Sequence, residues 1–130
     1  MTDLPRHILV VEDEDDIRGL VRLTLELSGG FQVSECASGD EAVQCVDDIQ
    51  PDLLLLDVMM PGLDGPATMQ QIHAAQTTPT PVIFLTARAQ QHEVAAYKAA
   101  GARGVITKPF NPITLVADIE RIWQSDSQTA

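Results

Sequence analysis

Leu53-Leu54-Leu55-Leu56-Asp57-Val58-Met59-Met60-Pro61-Gly62 is the stretch that decides the fold. An unbroken apolar run of this kind is a strand buried on both faces, as in parallel sheets, whereas a half-exposed strand would alternate with polar residues. A carboxylate closes the run, and the chain then breaks at Pro61-Gly62. Asp57 is therefore expected at the rim of a sheet, facing a cleft. Working outward, three more apolar runs end in polar groups: Ile8-Leu9-Val10-Val11 before Glu12-Asp13, Val82-Ile83-Phe84-Leu85 before Thr86, and Val105-Ile106-Thr107 before Lys108.

Short apolar runs alternate with helix-period segments five times. That alternation predicts an α/β fold, a parallel sheet covered by helices on both faces. The expected strands are 8–11, 32–36, 53–56, 82–85 and 105–107. A first helix over 15–27 would put Ile17, Leu20, Val21, Thr24 and Leu27 on one face and stop at Gly29-Gly30. The second starts behind Ser38, with Glu41 placed for a capping box, and ends before Pro51. The third covers 65–75 behind Asp64. The fourth, 90–100, is rich in alanine, has little large apolar surface to anchor it, and is the helix expected to move most easily. The last is capped by Asn111, opens with Pro112, and carries a core stripe of Leu115, Val116, Ile119, Ile122 and Trp123. Residues 1–124 read as one domain, and 125–130 as a polar tail or the start of a linker.

At 130 residues the chain can bury roughly two-thirds of its unfolded surface without metal or disulfide staples. Its 19 acidic and 8 basic side chains give a formal charge of −11, a poor footprint for direct binding to nucleic acid or an anionic membrane. Cys36 and Cys45 have no metal-type spacing and read as free thiols in a reducing compartment. The N-terminal apolar run is too short for a signal peptide or a membrane span, and a cytoplasmic location is expected.

In a right-handed doubly wound sheet the carboxyl ends of the strands share one edge, where ligands bind. Glu12, Asp13, Asp57, Thr86 and Lys108 all fall there. Singly, each has an ordinary structural reading: acids favour helix starts, and a strand-end threonine or a lone lysine is commonplace. Their convergence is what suggests a site. Clustered carboxylates repel unless a cation sits among them, and an all-oxygen set suits Mg²⁺, with Mn²⁺ as the substitute. A carboxylate nucleophile, a divalent ion, a hydroxyl and a lysine together describe phosphoryl transfer through an aspartyl phosphate.

The chain resembles the receiver domain of two-component response regulators, of the chemotaxis-regulator type, over about Arg6 to Trp123. The resemblance rests on Val10-Val11-Glu12-Asp13-Glu14, on Leu56 through Gly65, and on Leu85-Thr86-Ala87, Gly101-Ala102 and Thr107-Lys108-Pro109-Phe110. It implies a flavodoxin-like (βα)5 sandwich with strand order 2-1-3-4-5, and Asp57 as phosphoacceptor. It makes Asp13, Asp57 and the Met59 backbone carbonyl the Mg²⁺ ligands, with Glu12 acting mainly through water. Lys108 would contact the phosphoryl group, Thr86 would move towards it, and the Lys108-Pro109 bond would be cis. The implied partners are a histidine kinase or histidine phosphotransfer protein as donor and a downstream protein target, with the domain a monomer or weak dimer. Such a domain catalyses its own phosphorylation and is not an enzyme acting on a separate substrate.

Val105 departs from the family pattern, since receivers usually carry Tyr or Phe there, and the usual aromatic signalling route is affected. Met59 and Arg88 flank the path of an attacking water, so a slowly hydrolysing phosphoaspartate is expected, unless Arg88 is only a solvated cation. Two alternatives stay open at this point. One is a degenerate receiver acting as a constitutive interaction module; the other is a phosphatase of the haloacid dehalogenase type, although Met59 stands where those enzymes keep an acid.

Overall fold

The computed structural model describes residues 4–127, with the side chains of 126 and 127 left aside. The elements run β1 (His7–Val11), α1 (Asp15–Gly29), β2 (Gln32–Cys36), α2 (Gly39–Ile49), β3 (Leu53–Asp57), α3 (Gly65–Ala75), β4 (Val82–Thr86), α4 (Gln91–Ala100), β5 (Gly104–Thr107) and α5 (Pro112–Ser127). The strands form one parallel sheet in the order β2-β1-β3-β4-β5. No helix among the described residues is long and apolar enough to cross a membrane.

Side chains alternate across a strand, so each strand feeds two cores. Ile8, Val10, Leu53, Leu55, Ile83 and Leu85 meet Val21 and Leu25 of α1 and Leu115 and Ile119 of α5. On the other face Leu9, Val11, Leu54, Leu56, Val82 and Phe84 meet Ala42 and Val46 of α2 and Met69 and Ile72 of α3. Leu53 to Leu56 are wholly buried, each contributing about 2 kcal/mol of burial. The stripe on α5 packs as expected, with Val116, Ile122 and Trp123 half-buried beside Leu115 and Ile119.

Several boundaries differ from expectation for definite reasons. Asp57 and Thr86 are the last residues of their strands, because both remain in register, Asp57 opposite Leu85 and Thr86 opposite Thr107. β5 begins one residue early, at Gly104, where α5 passes so close that a Cβ would lie 2.7 Å from the Ile122 side chain. On α1 the buried residues are Val21, Thr24 and Leu25, while Leu20 and Leu27 are 45% and 76% exposed. The stripe that packs is centred between Val21 and Leu25, and Leu20 and Leu27 are turned aside from it at the helix's 3.6-residue period. The polar tail expected from Ser125 starts as helix instead, since α5 continues to Ser127; no Gly or Pro follows Gln124 to stop it. Residues 128–130 of that expected tail lie outside the described residues.

Caps hold the elements that approach the rim. Ser38 Oγ accepts from Glu41 N, Asp64 Oδ1 from Ala67 N, and Asn111 Oδ1 from Ile113 N. Each satisfies an otherwise orphaned helix donor. Glu93 Oε1 accepts from Gln90 N at the start of α4. None of the ten α4 residues is buried.

Candidate functional site at the sheet rim

Asp57 is held at the end of β3 by its main chain as much as by its side chain. Val58 N donates to Leu85 O, and Gly65 N donates to Val58 O, folding the loop back beneath the acid. Gly65 is required there because a Cβ would lie 2.5 Å from Asp57 O and 2.8 Å from Val58 Cα. Gly62 supplies the left-handed turn, at φ +75°.

Around that fixed acid the structure brings together four of the expected residues. One carboxylate oxygen from each of Glu12, Asp13 and Asp57 lies within 4.8 Å of the others. Lys108 reaches into the group, with Nζ 2.7 Å from Glu12 Oε1 and 3.1 Å from Asp57 Oδ1. Met59 N also donates to Asp57 Oδ1, at 3.3 Å. Glu12 and Asp57 are buried, Asp13 half-buried, and the Lys108 side chain is only 18% exposed.

The charges of this group shift one another. Burial pushes Asp57 up to about 6, the negative charge of Glu12 adds to that, and Lys108 offsets only part. For Glu12 burial also works upward, but the Lys108 hydrogen bond and charge and the Glu14 N–H outweigh it, holding it below its ordinary value. Burial disfavours the Lys108 cation, yet its bonds to Glu12 and Asp57 keep it above the usual lysine range. Like charges sharing a low-dielectric site produce this division, one acid held below its ordinary value and its neighbour raised above it.

The remaining expected residues stand around the cluster without joining it. Thr86 is buried one strand over, where its Oγ1 accepts from Arg88 N at 2.9 Å and its carbonyl accepts from Lys108 N at 2.8 Å. Met59 and Arg88 present exposed side chains at the rim. Lys108-Pro109 is a cis bond, with Pro109 exposed. Val105 is half-buried in the core that includes Phe84, opposite which it pairs on β4. In the same core Tyr97 of α4 meets Phe84 edge-on, with ring centroids 5.2 Å apart.

The roles of two contributors are not found by sequence reasoning. Gly65 reads there as a helix start, and its contact with the Asp57 backbone comes only from the folded loop. Arg18, on the first turns of α1, donates through Nη1 to the Glu12 main-chain carbonyl at 2.8 Å. Its only sequence signal is a single basic side chain following the acids at 12 to 16.

A parallel sheet in this order, with acids and a lysine gathered at its carboxyl rim, defines a flavodoxin-like α/β domain with a charged site at the strand ends. Residues 8–120 match the family described as "Response regulator receiver domain", and the chain belongs to that family. It is 41% identical over 128 residues to the phosphate regulon transcriptional regulatory protein PhoB of Klebsiella pneumoniae, covering 98% of this chain and 56% of that protein. The transcriptional regulatory protein CseB of Streptomyces coelicolor is 41% identical over 116 residues, covering 89% and 48%. The chain thus spans about half the length of the curated relatives it matches. Among solved structures, the chemotaxis response regulator CheY4 of Vibrio cholerae superposes with a TM-score of 0.83 at 32% identity, covering 92% of this chain and 99% of that one. The family is one of two-component signalling, which makes this a signalling domain and not a metabolic enzyme, and sets the phosphatase alternative aside.

Proposed function

We propose that the domain is a phosphorylation-driven switch, in which Asp57 takes a phosphoryl group from a phosphohistidine and the change is read by a downstream protein. The observation that carries this reading is a buried carboxylate at the strand end, 3.1 Å from a lysine and clustered with two further acids. In the transfer an Asp57 carboxylate oxygen attacks phosphorus, a P–O bond forms as the P–N bond of the phosphoimidazole breaks, and the leaving ring nitrogen keeps the electron pair. Lys108 neutralises charge on one equatorial oxygen. The Thr86 hydroxyl already accepts from Arg88 N, so its own proton is available to another phosphoryl oxygen.

The donor set fits a hard divalent ion, being all oxygen, with a Lys108 ammonium already drawn among the carboxylates. Asp13, Asp57 and the Met59 carbonyl would hold Mg²⁺, or Mn²⁺ in its place. Both Glu12 oxygens are engaged, one by Lys108 and one by Glu14 N, which supports an indirect role for it through water. When bound, the ion supplies positive charge that keeps Asp57 ionised.

The donor would be a histidine kinase or a histidine phosphotransfer protein. The acidic surface argues against direct contact with nucleic acid or membrane, and the free Cys36 and Cys45 suit the reducing cytoplasm. We assign residues 1–124 to the receiver unit, a monomer or weak dimer, with output through a partner protein or an effector domain of the kind its longer relatives have room for.

Intact-mass measurement after incubation with phosphoramidate or acetyl phosphate tests the reading. One hydroxylamine-sensitive phosphoryl group is expected, dependent on Mg²⁺ and absent in Asp57→Asn. No adduct in the parent chain, with no binding of beryllofluoride, would leave the constitutive interaction module as the better account.

A further inference from the structure

Glu12 is fixed at every polar group it has. Its N–H donates to Cys36 O at 3.1 Å, its carboxylate takes Lys108 and Glu14 N, and its carbonyl takes Arg18 Nη1 at 2.8 Å. The last of these bonds governs the peptide that joins Glu12 to Asp13, and so the direction in which Asp13 leaves the strand. The Arg18 side chain is only 17% exposed and is itself held on both flanks. Nη2 lies 2.6 Å from Asp15 Oδ1, and Nε lies 3.4 Å from Glu35 Oε1 on β2. Arg22, one turn on, shares that same Glu35 and also pairs with Glu26.

A guanidinium suits this task because its planar fork can meet a carbonyl and two carboxylates in fixed directions, which an ammonium on a flexible stem does not do. We propose that Arg18 is a positioning residue for the acidic loop: by fixing the Glu12 carbonyl it sets the geometry in which Asp13 and Asp57 receive a divalent cation. This rests on the metal-assisted reading above. It also runs against simple electrostatics. A nearby positive charge should weaken cation binding, so deleting it should tighten binding if charge alone mattered. Positioning predicts the reverse, and the sign of the change separates the two.

The test is the dissociation constant for Mn²⁺ alone, measured for the full chain, for Arg18→Gln and Arg18→Lys, and for Arg22→Gln. Arg22→Gln removes a cation from the same helix without touching the loop. Amide hydrogen exchange over residues 12–15 is followed in the ion-free proteins alongside. The expected result is Mn²⁺ binding weakened by about three- to tenfold in Arg18→Gln, the scale of one ordinary net hydrogen bond, and partly restored in Arg18→Lys. Exchange at 12–15 should rise in Arg18→Gln, with binding by Arg22→Gln unchanged or slightly tighter. Equal or tighter Mn²⁺ binding by Arg18→Gln, or weakening of the same size in Arg22→Gln, would overturn the proposal. If the parent chain binds no Mn²⁺, the metal-assisted reading fails and this role toward the ion fails with it. The exchange data then show separately whether Arg18 orders the loop.

Discussion

Glu12 follows β1 and Thr86 ends β4, one strand to either side of Asp57, and the two flanks are built differently. On the β1 flank every polar group of Glu12 has a protein partner, and Arg18, Asp15 and Glu35 brace the helix behind it. On the β4 flank the Thr86 hydroxyl is engaged, among the described residues, by the Arg88 main chain, and the covering helix α4 has no buried residue. Its aromatic contact with the sheet is Tyr97 edge-on against Phe84. Charge-assisted bonds are directional and costly to break, whereas an edge-on ring contact tolerates sliding. One flank is suited to holding reacting groups still, the other to yielding when they change.

Removing the cation that reaches across from the end of β5 to the rigid flank should have the largest effect. Lys108→Met leaves the Glu12 and Asp57 carboxylates together without a counter-charge, a loss of about 3 kcal/mol in the ion-free protein. Thermal melts at pH 8 should show a fall on the order of 10 °C, partly recovered by Mg²⁺. If the midpoint does not move, the buried pair is not what holds this flank.

Asp57→Asn should act in the opposite direction. The folded Asp57 titrates at about 6, above its ordinary 3.8, so between those values the native state keeps a proton that the unfolded chain releases. Stability contributed by that proton is present below pH 4 and lost as pH rises through 6. The amide variant, free of the buried charge, should be more stable than the parent by up to about 3 kcal/mol at pH 8 without ion. The gap should close near pH 4. A gap of constant size across that range would show that Asp57 is not the titrating group.

On the yielding flank, Tyr97→Ala should cost about 1 kcal/mol and raise hydrogen exchange along α4 while leaving residues 12–15 protected. Spread of the change to the β1 flank would mean that the two sides are mechanically one. The smallest effect concerns the rim itself. Replacing Arg88 and Met59 together with alanine should speed loss of the phosphoryl group severalfold, less than the tenfold that about 1.4 kcal/mol of barrier represents. Unchanged decay would identify Arg88 as a solvated cation and nothing more.

Much of this arrangement was readable from the chain, because apolar runs ending in acids state both a buried strand and its rim. Leu53 to Asp57 and Ile8 to Asp13 needed no tertiary information to suggest a parallel sheet with clustered carboxylates. The buried face of α1 differs from the expected one by part of a turn, since Leu20, Leu25 and Leu27 are equally apolar and only packing selects among them. The end of α5 was placed early for a similar reason: polar residues permit a helix to stop but do not compel it. Arg18 is not legible as part of the site, and Gly65 is legible only as the end of a motif, because their roles are contacts with main chain, and backbone atoms carry no signature in a sequence.

Gly65 has a consequence for the tolerance of this chain to change. The obstacle a side chain would meet there is the backbone of Asp57 and Val58, which cannot step aside as a side chain can. In a population of random variants, substitutions at position 65 should therefore be depleted almost as severely as those at Asp57, although it contributes no functional group. Its lack of a side chain and the Asp57 carboxylate are two halves of one requirement of the loop.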